Sequence, residues 1–415
     1  MRGHQKSVHK YGFLSLAFCM LCLFGCKTLL IPKTAPSPIT KHSGDVELAN
    51  LIETIRVKEG IAGLASALIV NGKIYSVAAV GTREYGTDNW ITVEDKFLIG
   101  SCTKAITASL AAVLIDEGVL KWNTSIREVF PDLDMRPDYE NITVVQLLSH
   151  RAGLPKNYKN GKTTWKIDYE FDKERGSAPK DLRLQYLENT VQDKLMCPPG
   201  ERVHYSNSGY ILAGAMMEKA TEKSIEDLWE DRIFNPLGIT SAGYGPPAAS
   251  EPHRQPLGHY WDEKSNTFVP YQADFPNFFS PAGYMHVNME DWAKFILIHM
   301  DSYPTQKERL IEPGTLQKLH DPPDKARWDI DIDLGLNYAI GWFTKTDKNG
   351  HKLIWHGGRG FDFNAQVVVD LNDKNAILVV STSELPNVHP QTQLLKISKK
   401  IKEYYKNKFI LPSII

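Results

Sequence analysis

Gly100-Ser101-Cys102-Thr103-Lys104 is the stretch around which the rest of the chain arranges itself. Ser101 stands where a helix should begin. Ile106, Leu110, Val113 and Leu114 follow on one face at helical spacing, and Gly118 supplies a stop. Serine is a favoured helix N-cap, so its position alone carries no chemistry. Lys104 adds some: residues three apart share a helix face, which brings the amine within reach of the hydroxyl. A serine hydroxyl is a weak nucleophile until a neighbouring base takes its proton, and a partly buried lysine can be that base. The helix N-terminus contributes backbone N–H groups for a developing oxyanion.

Ser-x-x-Lys occurs three times, at Ser7 to Lys10, Ser101 to Lys104 and Ser177 to Lys180. Ser7 falls in a segment expected to be removed. Ser177 precedes Pro179 in a charged stretch without helical apolar periodicity. Only Ser101 heads a long apolar helix.

The 415 residues allow one to three domains and a sizeable core, and a composition of 42% hydrophobic and 23% charged residues is ordinary for a globular protein. A net charge of −1 argues against a nucleic-acid partner. Neither a Cys-x-x-Cys pair in the body nor a His-Glu-x-x-His is present, so no metal and no organic cofactor is expected. Cys102 reads as a small hydrophobe, and spacing cannot decide whether it pairs with Cys197.

The first 25 residues read as an export signal. Arg2, Lys6 and Lys10 precede an uncharged apolar run from Tyr11 to Gly25, too short to span a bilayer and suited to a signal-peptide core. The run ends Leu23-Phe24-Gly25-Cys26, which resembles the bacterial lipoprotein cleavage box. That resemblance implies a lipid on Cys26 and a place in the cell envelope facing the periplasm, with the outer membrane favoured by Lys27. Residues 26–44, with Pro32, Pro36 and Pro38, read as a tether.

Residues 45–59 carry Leu48, Leu51, Ile52 and Ile55 on one helical face. Two apolar runs then flank Asn71-Gly72, a strong hairpin signal. From Ser101 to about 335 helix and loop predominate: a short helix from Val144 to Leu148, a polar surface excursion over 156–185, a helix from Ser208 to Ala220, and another opened by Asn288 and Asp291. Strands return around Lys348-Asn349-Gly350 and Asn372-Asp373-Lys374, followed by a C-terminal helix striped by Leu394, Leu395, Ile397 and Ile401. The order predicts an α+β fold: one antiparallel sheet built from both chain ends (45–100 plus 336–410), flanked by helices, with an inserted, mostly helical domain over 101–335.

Two further motifs accompany Ser101. Tyr205-Ser206-Asn207 follows the turn Pro198-Pro199-Gly200, and a tyrosine beside a cation can be held partly as phenolate. His356-Gly357-Gly358 comes just after a strand ending at Trp355; a strand edge with small residues admits a substrate backbone, and the Arg359 N–H can complete an oxyanion hole with that of Ser101. Each motif is weak alone; the ordered set is specific. No Gly-x-Ser-x-Gly elbow points instead to an α/β-hydrolase, and Gly357 to Gly360 misses the dinucleotide spacing.

The set resembles the serine β-lactamase and penicillin-binding-protein superfamily. The nearest branch is the one holding class C β-lactamases, D-alanyl-D-alanine carboxypeptidases and β-lactamase-like esterases. Leu147 to Pro155, Asn235 to Gly238 and Ser280 to Gly283 resemble connecting segments of that branch. The resemblance implies Ser101 as acylated nucleophile, Lys104 as base, Tyr205 as proton shuttle, and Asn207 orienting Lys104 or the substrate amide. It places His356 on the strand opposite the nucleophile, where many relatives have lysine, and Gly358 and Arg359 in the substrate and oxyanion contacts. His150 looks structural. Cys102 and Arg359 depart from the commonest forms, and Arg359 is a candidate for a substrate carboxylate. Histidine at 356 favours a peptidase or esterase over an efficient β-lactamase; a class C-type β-lactamase, or a penicillin-binding protein without turnover, is the alternative.

Overall fold

The structure is a computed structural model that describes residues 34–155, 178–251, 253–271, 277–303, 309–323, 327–328, 337–384 and 388–412. Cys26 and the expected signal segment lie outside these residues, as does most of the 156–185 excursion.

Helix α1 (Val46–Glu59) starts where the Asp45 side chain accepts from the Leu48 N–H and stops at Gly60, φ 66°. Strands β1 (Gly63–Val70) and β2 (Lys73–Gly81) form the expected hairpin, with Asn71 and Gly72 both at positive φ. Five further strands join them: β3 (Asn337–Tyr338), β4 (Phe343–Thr346), β5 (Lys352–Gly360), β6 (Phe363–Asp370) and β7 (Asn375–Ser381). The order β3-β4-β5-β6-β7-β1-β2 is antiparallel throughout. The two chain ends meet at β1 and β7, in register from Leu64 opposite Ser381 to Ile69 opposite Ala376.

Helices cover both faces of the sheet, so its central strands are apolar on both sides. Leu64 and Leu68 of β1 meet Leu48 and Ile52 of α1 and Leu394, Ile397 and Ile401 of the C-terminal helix. Ala65, Ala67 and Ile69 alternate to the other face and join the large core. That core holds α2 (Thr103–Asp116), α3 (Val144–Leu148), α4 (Pro179–Thr190), α5 (Asn207–Thr221), α6 (Met289–His299) and α7 (Pro313–His320). The C-terminal helix, α8, spans Pro390–Tyr405.

Three expectations need correction. Residues 34–44 are not free tether. Arg56 donates to the Ala35 carbonyl at 2.6 Å, Ser37 Oγ accepts from the Gly81 N–H, and Gly44 bridges to Ala78. The end of the 156–185 excursion is helix α4, which includes Lys180; its buried polar residue Arg183 pairs with Glu218 and Glu226 at 2.6 and 2.7 Å. The mostly helical middle also contains strands, including a hairpin of Gly258–Asp262 with Thr267–Tyr271 and a small sheet joining Phe97–Leu98 to Met285–Val287.

Candidate active site

A 3-10 turn, Gly100–Cys102, leads into α2. Gly100 takes φ 51°, and its carbonyl accepts from Thr103 Oγ1 at 2.7 Å. The turn leaves Ser101 half-exposed at the mouth while Lys104, one turn deeper, is fully buried. Lys104 Nζ donates to Ser101 Oγ at 3.0 Å, to Asn207 Oδ1 at 2.8 Å and to the Ala282 carbonyl at 2.5 Å. The amine is thus fixed against the hydroxyl by acceptors from α5 and from the segment before Met285–Val287.

Tyr205 and Asn207 straddle the start of α5. Ser206 caps the helix, accepting from the Gly209 N–H, and its own hydroxyl donates to the Pro155 carbonyl at 2.6 Å. Lys104 Nζ lies 4.9 Å from the Tyr205 ring centroid. Burial pushes the Tyr205 phenol well above the usual range, with Ser101 opposing. This corrects the expected partial phenolate: Tyr205 stands as a neutral phenol, suited to relaying a proton.

His150 supports Tyr205 from below. It sits at φ 59°, its carbonyl accepts from the His204 N–H at 2.8 Å, and its Nδ1 accepts from the Ser206 N–H at 3.1 Å. Its ring lies 4.2 Å from that of Tyr205 and 4.5 Å from that of Tyr338. Burial and the nearby Lys104 hold His150 well below the ordinary imidazole range, so it is neutral and available as an acceptor.

Strand β5 forms the opposite wall. Strand β4 pairs with it only as far as Trp355, leaving the edge from His356 to Gly360 open. A Cβ on Gly358 would lie 1.8 Å from the Ile99 carbonyl oxygen and 3.0 Å from the Ser101 nitrogen. A Cβ on Gly100 would lie 2.4 Å from the Arg359 nitrogen. Only side-chain-free positions let strand and turn approach so closely, which sets the Ser101 and Arg359 amides side by side.

His356 does not reach into the mouth. It is buried, Nδ1–H donates to the Gly357 carbonyl at 2.8 Å, and Nε2 accepts from the Tyr338 phenol at 3.2 Å. Burial and Lys104 push it down to about 3. The Arg359 guanidinium is likewise not at the mouth, because both arms of its fork engage Glu384. Cys102 packs behind the turn with its Sγ donating to the His356 carbonyl, and it is not joined to Cys197 by a disulfide.

Ser101, Lys104, Tyr205 and Asn207 therefore meet as anticipated, with Gly358 and the Arg359 backbone beside them. His150, Tyr338, the Ala282 carbonyl and Glu384 were not anticipated. The Leu147 to Pro155 and Ser280 to Gly283 segments were visible as motifs, but nothing in them reveals a ring packed against Tyr205 or a carbonyl that receives Lys104. At the far hairpin, His351, Asp370 and Asp373 bring possible ligand atoms within 4.8 Å of one another, and His351 already pairs with Asp370.

Comparison with known proteins places the chain. The family model described as Beta-lactamase matches residues 48–398, and the chain belongs to that β-lactamase-like serine-hydrolase family. Protein flp of Staphylococcus aureus (strain NCTC 8325 / PS 47) is 24% identical over 341 residues, covering 81% of this chain and 62% of the relative. The chain thus spans about six-tenths of that relative's length. The octameric penicillin-binding protein homologue from Pyrococcus abyssi superimposes with TM-score 0.68 at 22% identity, over 86% of this chain and 78% of that one. D-amino acid amidase from Ochrobactrum anthropi SV3, solved with L-phenylalanine, gives TM-score 0.67 at 21% identity, over 86% and 99%.

Proposed function

We propose that the chain hydrolyses D-alanyl peptides, related amides or small esters through an acyl-enzyme on Ser101. The observation that carries this reading is the Lys104 amine, buried and held 3.0 Å from Ser101 Oγ by Asn207 and Ala282. Ser101 Oγ attacks the carbonyl carbon while its proton passes to Lys104. The tetrahedral oxyanion sits between the Ser101 and Arg359 N–H groups. The neutral Tyr205 phenol gives its proton to the leaving amine or alcohol and regains one from Lys104, so the C–N or C–O bond breaks as HX departs. Water then attacks the acyl-serine, its proton returning along the same path, and the acid leaves with Ser101 restored. Asn207 aligns Lys104 throughout.

The test is intact mass after incubation with a fluorescent penicillin, alongside cleavage of p-nitrophenyl acetate, for the native chain and Ser101→Ala. A persistent adduct on the native chain alone marks slow deacylation, and a transient one marks β-lactamase turnover. Ester cleavage by the native chain without an adduct marks an esterase. Equal behaviour of the two proteins defeats the proposal. A lipid on Cys26, which would hold the enzyme to a bacterial envelope membrane facing the periplasm, belongs to the same reading. Loss of fatty-acid labelling in Cys26→Ser is its check.

A further inference from the structure

The charges along β5 distinguish among the substrates this reading allows. His356, Gly358 and Gly360 alternate to the face that meets the Ser101 turn, whereas Gly357 and Arg359 alternate to the face under α8. A Cβ on Gly357 would touch Gln391 of α8, and the Arg359 head lies with Glu384 beside His389. On the catalytic face, His356 is the one ionisable side chain of these five residues, and both its ring nitrogens are already bonded. Gly357 and Gly358 bring neither a cation nor a hydroxyl. Lys104 is already engaged with Ser101, Asn207 and the Ala282 carbonyl.

The end of the strand is acidic. Asp362, in the turn after β5, is held up to about 6 by burial and by Glu384, with Arg359 opposing. Glu384 is 17% exposed and is matched by Arg359 alone among the ion pairs of the described residues. At neutral pH, Asp362, Glu384 and Arg359 sum to one negative charge.

We infer that the site selects against substrates whose carboxylate lies along β5, and takes neutral or amine-bearing amides and esters instead. This rests on the acyl-enzyme reading above. A carboxylate brought to this wall exchanges water for bare backbone and a net negative strand end, without a counter-ion from β5 among the described residues to offset desolvation. Arg359 is the latent exception, since releasing its guanidinium from Glu384 would supply the missing cation.

The experiment uses two matched ester pairs with the full chain at neutral pH, so that each end of a substrate is tested against β5. The first pair, 3-acetoxybenzoate and 3-acetoxybenzamide, places the charge on the leaving group. The second, mono-p-nitrophenyl glutarate and p-nitrophenyl valerate, places it on the acyl group. In at least one pair the neutral ester should show kcat/KM higher by about tenfold after correction for spontaneous hydrolysis. Glu384→Gln should narrow that ratio by about threefold, and Arg359→Ala should widen it, the modest size expected of a half-exposed ion pair. Equal rates within both pairs, or a ratio indifferent to both substitutions, overturns the inference while leaving the hydrolase intact. No cleavage above the Ser101→Ala background in any pair removes the acyl-enzyme reading, and this inference with it.

Discussion

At the scale of single residues, His150 shows how much of the candidate site is arranged by groups packed behind it. It is a positioning residue, gripping the backbone on both sides of Tyr205 and packing at a tilt against its ring. Two substitutions separate those contributions. His150→Asn tolerates the left-handed backbone and keeps an acceptor near the Ser206 N–H, but loses the packed ring. His150→Phe keeps a ring and strands that buried N–H, which should cost about 1–3 kcal/mol of stability. The Asn variant should therefore melt close to the native chain yet lose about tenfold in kcat with little change in KM, because the Tyr205 phenol is no longer held in line. A burst titration with p-nitrophenyl acetate beside a thermal melt checks this, and an unchanged kcat in the Asn variant refutes it. Ser101, Lys104, Tyr205 and Asn207 were legible because their chemistry is written in residue type and order. The inward turn of His356 was not, because it depends on Tyr338, a residue that no motif marks.

At the scale of elements, the meeting of β5 with the Ser101 turn is the contact that assembles the site. Gly358→Ala would force a methyl group to within 1.8 Å of the Ile99 carbonyl oxygen, and backbone has no rotamer with which to yield. The strand should shift and activity fall by about a hundredfold, the order expected for an ångström of misplacement. Gly314→Ala on α7, where a Cβ meets nothing within 4 Å, is the control and should hold or slightly raise the melting temperature. Ester hydrolysis and thermal melts of both variants decide the matter; an active Gly358→Ala protein contradicts it. The hairpins and the helices α1, α2 and α5 were legible from turn dipeptides, caps and apolar stripes. Helix α4 was not, because part of its buried face is Arg183, whose charge reads as surface until Glu218 and Glu226 are seen beside it. The strap at 34–44 was hidden for a related reason: prolines and polar residues resemble a linker unless Arg56 and Ser37 are known to pin them.

At the scale of the whole molecule, the fold buries an unusual set of neutral imidazoles. His150, His259, His286, His299, His320 and His356 are all buried, and burial is the foremost cause holding each below the ordinary range, with His320 and His356 near 3 and His259 and His286 near 4. His299 and His320 share a hydrogen bond at 3.0 Å, which one proton can make and two cannot. A histidine whose folded pKa is depressed takes up its proton more readily when unfolded. The stability it confers is complete above the unfolded value of about 6.5 and drains away as pH falls toward the folded value. Urea midpoints should thus decline steadily from about pH 6.5 to pH 4, and His320→Gln should flatten part of that slope. A midpoint constant over this interval contradicts the account. The two-ended sheet was legible because strand signals cluster at the beginning and end of the chain, but its order is a matter of register that only the assembled core fixes. The pairing of β1 with β7 also imposes a timetable. Ser66 Oγ finds the Leu378 carbonyl across 312 residues of chain, so loop closure delays the sheet until β7 has been made. A nascent chain emerging from the ribosome has Ser101 and Lys104 long before it has β5, the strand that faces them. On this topology the candidate site comes together only once β5 to β7 have been made.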